Sequence, residues 1–335
     1  MTQPRIAVFA RSANGNLNPT RSIGGQRSKL TRTVHGMAMD PVHDELFVPV
    51  PMAASILVFR GQADGDEAPI RVIQGPKTSL VFPFALAFDP VHDELIVTDG
   101  KGGTIFSYAR TANGDVAPLR AIRGPKTRLG YMGGPAVDTK RDLLVVWSAD
   151  PERTDKGAIF VFNRLDDGNV EPRAIIAGPN AGMGRPFNLA VVGDNIVATI
   201  FRNNYNSPYN QTKPRTEEFH RKVIAERVAA GAMPPRPVSQ DPTVISLPSA
   251  FDSSDPGFIG VWRITDNGNV APRFIVRGPS TGLVVPAALT IAPKHKEVIV
   301  ADGASNSVLS FFLPEVFDNP TSEAASPRKE ESRSR

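Results

Sequence analysis

Apolar and polar positions along the chain follow one order, and that order recurs. A short apolar run is followed by a polar turn ending in Asn-Gly or Asp-Gly, then Pro, a second apolar run, Gly, and a basic loop that leads into further apolar runs. Five segments carry the first part: IAVFARSANGNLNPTRSIGG (6–25), ILVFRGQADGDEAPIRVIQG (56–75), IFSYARTANGDVAPLRAIRG (105–124), IFVFNRLDDGNVEPRAIIAG (159–178) and IGVWRITDNGNVAPRFIVRG (259–278). The turn glycines Gly15, Gly65, Gly114, Gly168 and Gly268 are spaced by 50, 49, 54 and 100 residues. The unit is therefore about 50 residues long, as in propellers and related arrays, with one interval doubled. Asn and Asp tolerate the positive φ of type I′ turns, so each Asn/Asp-Gly pair predicts a hairpin turn.

The second part of each unit is another pair of short apolar runs around a polar turn. FALAFDPVHDELIVTD (84–99) and HGMAMDPVHDELFVPV (35–50) are its clearest copies, and 133–148, 187–201 and 287–302 are weaker ones. Four antiparallel strands in about 50 residues make a propeller blade. The predicted fold is all-β: a single β-propeller of four-stranded blades, five in number, with six as the alternative. The chain starts with a first-part hairpin, so residues 6–25 are expected to pair with strands 287–302 in one shared blade that closes the ring. The run VLSFFL (308–313) competes with IAVF (6–9) for that place.

The doubled interval falls at 203–257, which breaks the rhythm. TEEFHRKVIAERVAAG (216–231) reads as a helix with Thr216 as N-cap and Gly231 as its stop, between Pro- and Asn-rich flanks. An insertion in the propeller (1–318) is the preferred reading over a degenerate sixth blade. Residues 319–335 are polar and mixed in charge, a predicted disordered tail.

Composition narrows the chemistry. The chain has no Cys, which excludes disulfides and thiolate chemistry. Its net charge of +4 is mild and base-stacking aromatics are sparse, which argues against nucleic acid. No window is apolar enough to span a membrane. The first strand begins at Ile6, so the chain as it stands is expected to be cytoplasmic, with export the alternative if a leader is missing. Elbow, HExxH, Walker and GxGxxG motifs are lacking. PVHDEL, at 41–46 and 90–95, looks like metal chemistry. Its place in the repeat is the tight turn between two strands, where Asp and His read as turn formers and Glu as a solvated strand start.

The ALAFDP, ELIVTDG and IFSY runs resemble those of NHL-like and gluconolactonase-like β-propellers, over residues 5–315 apart from the insertion. That resemblance implies the propeller fold and a range of functions including hydrolases, lyases and interaction scaffolds. The family's enzymes hold a divalent metal by acidic, Asn or His residues in the central channel, and no such set matches here residue by residue.

Strand direction places one face as the candidate site. It gathers the first residues of the inner strands (His35, Phe84, Phe187) and the ends of the second strands (Asp99, Trp147, Arg202, Asp302). Asn203 and the insertion join them, with basic loops that bring Lys126, Arg128 and Arg185. A basic, partly aromatic mouth suits an anionic small ligand or an acidic protein surface. The plainer roles are solvated loop cations, strand-end Asp residues capping turns, and a packed His35. Three classes remain: a non-catalytic binding or scaffolding propeller, the preferred reading and one without a cofactor; a lactonase-like hydrolase or lyase with a divalent metal at His35, Asp99, Asp302 and Asn203; and a structural array element.

Overall fold

The alternating runs resolve into 21 strands in the computed structural model, which describes residues 4–31, 34–149, 157–201 and 257–318. The predicted insertion, apart from Gly257, and the predicted tail lie outside the described residues. A hairpin β1 (Arg5–Val8) and β2 (Arg21–Gly24) comes first, and five antiparallel sheets follow. Blade one holds β3 (Ala38–Asp40), β4 (Glu45–Val50), β5 (Ser55–Arg60) and β6 (Arg71–Ile73). Blade two holds β7 (Pro83–Asp89), β8 (Glu94–Asp99), β9 (Thr104–Ala109) and β10 (Arg120–Ile122). Blade three holds β11 (Met132–Asp138), β12 (Leu143–Ala149), β13 (Gly157–Asn163) and β14 (Ala174–Ile176). Blade four holds β15 (Arg185–Val192), β16 (Asn195–Phe201), β17 (Phe258–Arg263) and β18 (Phe274–Val276). Blade five holds β19 (Pro286–Ala292), β20 (Glu297–Asp302) and β21 (Ser307–Phe312), followed by the one-turn helix α1 (Pro314–Phe317). The molecule is a five-bladed β-propeller.

Its cores lie between blades rather than within them. Phe47, Ile73, Leu95 and Tyr108 share the cluster between blades one and two, and Ile122, Leu144 and Phe162 that between two and three. This explains the continuous apolar runs of the second strands: β8, for example, is buried along its whole length because both of its faces meet a neighbour. Four inner strands carry a register shift near their first residues, after Pro83, Met132, Pro186 and Pro286. Such bulges re-aim side chains, here at the channel mouth.

Three sequence expectations need correction. The hairpin 6–25 does not join strands 287–302. β21 takes the third place in blade five and pairs with β20 from Glu297↔Phe312 to Asp302↔Ser307, while β1 and β2 pair only with each other. The reason is proximity: a short turn joins β20 to β21, whereas the hairpin would close a loop of nearly the whole chain. The hairpin instead sits at the junction of blades five and one. Arg11 reaches Glu297 of blade five, and Gly24 and Ser22 bond Gly65 of blade one.

The Asn/Asp-Gly pairs are not two-residue hairpins either. β5 and β6 are separated by residues 61–70, and Gly65 (φ 64°) shapes a turn that reaches the preceding blade. Asp64 accepts the Ser22 N–H (2.9 Å), Asp66 accepts the Arg27 N–H (2.7 Å), and Gly65 exchanges two main-chain bonds with the outer strand. The same clasp recurs at Asn113-Gly114-Asp115 on blade one, Asp167-Gly168-Asn169 on blade two and Asn267-Gly268-Asn269 on blade three. The turn signal was legible from local chemistry; its partner, 38 to 92 residues away, was not.

The PVHDEL turns follow their expected role only in part. Asp40 and Asp89, just before each motif, cap the turn through two main-chain N–H groups and hold His43 and His92 through Nδ1. The glutamates, expected to be solvated, are buried: Glu45 is 6 % exposed and Glu94 8 %. Each takes one arginine from its own outer strand and one from the next blade, Arg71 and Arg110 on Glu45, Arg120 and Arg164 on Glu94. The Arg71 guanidinium, with Arg110 behind it, holds the Glu45 carboxyl below its ordinary range despite opposing desolvation.

Candidate functional site

Antiparallel pairing brings the starts of inner strands and the ends of second strands to one face, as in Pro83↔Asp99 and Pro286↔Asp302. At that face His35 stacks on Phe84 (centroids 4.0 Å apart, 22° between planes) and leans on Phe187 at 6.2 Å. Phe84 also meets Phe187 at 5.7 Å and Tyr131 edge-on at 5.5 Å, and Tyr131 meets Trp147 at 6.5 Å. Offset and edge-on geometries suit the ring quadrupoles. Burial pushes the His35 imidazole down to about 4, so it packs as a neutral ring at pH 7.

One layer deeper the channel is lined by small residues and one amide. A Cβ on Gly134 would come 2.8 Å from the Asn188 Oδ1, and one on Gly36 3.3 Å from its Nδ2. Gly133 is needed for the aromatic cluster itself: its Cβ would lie 2.5 Å from the Phe187 carbonyl oxygen and 2.9 Å from Trp147. Tyr131, Gly133 and Asn188 escaped the sequence reading. The Gly-Tyr-Met-Gly-Gly run at 130–134 was the available signal, since it sits where blade two has Phe84 and Ala85.

The acidic candidates serve the scaffold. Asp99 Oδ2 accepts the Val81 and Phe82 N–H groups, both at 2.7 Å, and its Oδ1 accepts that of Gly102 at 3.0 Å. Asp302 does the same for Val284, Val285, Ala304 and Ser305. Each carboxylate pins the loop that leads into the inner strand of its blade. Burial pushes the Asp99 carboxyl up, against the pull of those amides. Ser148 takes the same place in blade three, its Oγ accepting from Gly130.

Lys126 and Arg128 stand on the loop that leads into blade three. Lys126 is exposed, and its main-chain N–H is held by Asn169 in a clasp. Arg128 is the left-handed cap (φ 57°) of the 3-10 turn Pro125–Thr127. Arg185 opens β15 opposite Phe201. Arg202 and Asn203 lie outside the described residues. Trp147 is buried, and its Nε1–H has no acceptor among the described residues. Among the described residues no group of three His, Asp or Glu side chains is arranged to hold a metal ion.

No protein-family model and no curated protein matches the sequence. Among solved structures, a chain in the crystal structure of a nidogen/laminin complex is similar, with 21 % identity, a TM-score of 0.40, and coverage of 53 % of this chain and 59 % of that one. Among the described residues no helix is long and apolar enough to cross a membrane.

The mouth is thus a filled aromatic platform. Its carboxylates are occupied by main-chain donors and its histidine is neutral. Exposed cations, Lys77 and Lys126 among them, stand on the surrounding loops.

Proposed function

We propose that the protein is a non-catalytic binding or scaffolding propeller of the NHL-like kind, which holds an anionic ligand or an acidic protein surface against its basic, aromatic mouth. The observation that carries this reading is the engagement of Asp99 and Asp302. Oxygens that would bind a metal or move a proton in an enzyme are here saturated by main-chain N–H groups. β16 ends and β17 begins at this same face, and the segment between them, 203–257, is part of this proposed site. The propeller's rigidity suits such a role, because loops on a rigid scaffold lose little freedom on binding.

The test is calorimetric titration with polyanions of different charge density at low and high salt, beside a divalent-metal series with chelator controls. Binding that weakens with salt, and falls at least tenfold in Lys77→Glu/Lys126→Glu, is the expected result. A metal-dependent rise in melting temperature without polyanion binding would overturn the reading, since selective binding to the folded state must stabilise it.

A further inference from the structure

Among the described residues blade five has no counterpart of the strand that every other blade has at its rim. β5, β9, β13 and β17 are each covered by a three-residue outer strand and are buried almost throughout. β21 pairs only with β20, and its Val308 and Phe312 are 65 % and 68 % exposed. Around this open edge stand the same groups that receive an outer strand elsewhere, and each stands without its usual partner.

The first is a carboxylate. Glu45 and Glu94 each bind one arginine of the next blade and one of their own outer strand. Glu297, at the same place in blade five, binds Arg11 of the following hairpin, and among the described residues no outer-strand arginine joins it. The second is an apolar seat. Outer-strand isoleucines share a buried cluster with an aromatic ring of the next unit: Ile23 with Phe59, Ile73 with Tyr108, Ile122 with Phe162, Ile176 with Trp262. The matching ring after blade five is Phe9, and it is 45 % exposed. The third is a clasp. Asn14-Gly15-Asn16 repeats the turn that grips an outer strand at four other junctions, Gly15 has the positive φ (82°), and among the described residues nothing bonds to it.

The outer strands elsewhere define what fits. RSIGGQR (21–27) of the hairpin and RVIQGPK (71–77) and RAIRGPK (120–126) of blades one and two share Arg first, Ile third and Gly fifth, whereas blade three has AIIAGPN (174–180) and blade four FIVRGPS (274–280). In blades one and two the arginine meets the carboxylate, and in all three the isoleucine meets the ring. Glycine is required because a Cβ on Gly25, Gly75, Gly124 or Gly178 would lie 2.3–2.6 Å from the clasping Asp or Asn side chain, at φ between 116° and 137°. The amide of the seventh residue is the one that the clasp's last side chain accepts.

We propose that the rim of blade five is a docking groove for an extended segment of a partner protein of the form Arg-x-Ile-x-Gly, which adds to β21 as the missing fourth strand and is gripped by Asn14-Gly15-Asn16. Strand addition to an open edge takes its affinity from main-chain bonds and its specificity from alternate side-chain seats. The groove lies on the rim, so it stands or falls separately from the mouth.

The experiment is fluorescence anisotropy of a labelled Arg-Val-Ile-Gln-Gly-Pro-Lys peptide titrated with the full chain. Saturable binding is expected, weakened at least tenfold by Ile→Asp or Gly→Val in the peptide and by Asn14→Ala/Asn16→Ala or Glu297→Arg in the protein. An Arg→Glu peptide should recover affinity for the Glu297→Arg protein, a rescue that a merely misfolded variant would not show. Absence of saturation by about 1 mM peptide, near the weak end of measurable affinities, overturns the proposal. So does equal binding of a scrambled peptide, or affinity unchanged in both protein variants while their melting curves match the parent.

Discussion

Blades two and five begin from the same sequence pattern and end in different states. In blade two, β9 lies under β10, and the Asp167-Gly168-Asn169 turn of blade three grips β10 from outside. In blade five, β21 is the rim. The chain turns after Phe312 into α1, whose Val316 carbonyl accepts the Asn195 side chain of blade four. That turn replaces the Asn/Asp-Gly clasp, so β18 is left ungripped as well, with Ile275 exposed and nothing within 4 Å of where a Cβ would stand on Gly278. A blade in this protein is therefore not a self-sufficient unit. In blades one and two the three-residue outer strand is held by an arginine pair to the blade's own buried glutamate, by a ring of the next blade and by that blade's clasp.

The carboxylate network should separate the two blades most widely. Glu94→Ala leaves Arg120 and Arg164 buried without their shared partner, a loss of about 3–5 kcal/mol for a broken buried pair. Glu297→Ala removes one partly exposed pair with Arg11 and should cost no more than about 1 kcal/mol. Urea unfolding midpoints of the two variants check this, and equal losses would mean that blade five is completed by contacts outside the described residues.

Acid should sharpen the same contrast by a smaller amount. The Glu45 carboxyl is held below its unfolded value of about 4.3. A depressed carboxylate contributes stability that is present above the unfolded pKa and is lost as pH falls through the folded one. The wild-type melting temperature should therefore drop on acidification below about pH 4.3. Glu45→Gln, already destabilised at neutral pH, should show a shallower drop over that window. Parallel curves for the two proteins would remove Glu45 from the acid response.

What was legible in the sequence divides along the same line as the blades. Strand positions, blade number and the mouth-side placement of His35, Phe84 and Phe187 follow from alternation and repeat length, which are local signals. The partners of repeated side chains are not local. Asp64 and Asp66 read as turn residues because their own neighbours favour a turn, yet their bonds go to Ser22 and Arg27. Glu45 reads as a solvated strand start because a charged residue beside a turn is usually exposed, yet Arg110 of the next blade covers it. The acidic mouth candidates differ again: Asp99 and Asp302 stand at strand ends and cap turns, the plainer of the two roles expected of them, because position alone does not say whether a carboxylate faces a ligand or its own backbone.

The smallest effect tests the clasp itself. Asn113 accepts the Val72 N–H at 3.1 Å, and Asn14 holds the same place in its own turn without a strand to grip. Asn113→Ala should cost about 1 kcal/mol, the usual net value of one such bond, and should raise hydrogen exchange at Val72 and Gln74, the residues bonded to that turn. Asn14→Ala should change stability by less than about 0.5 kcal/mol, as an exposed substitution does. The difference between the two is the clasp's contribution to holding a rim strand. If Asn14→Ala proves as costly as Asn113→Ala, the hairpin turn is already gripping something, and the rim of blade five is occupied within the chain rather than open to a partner.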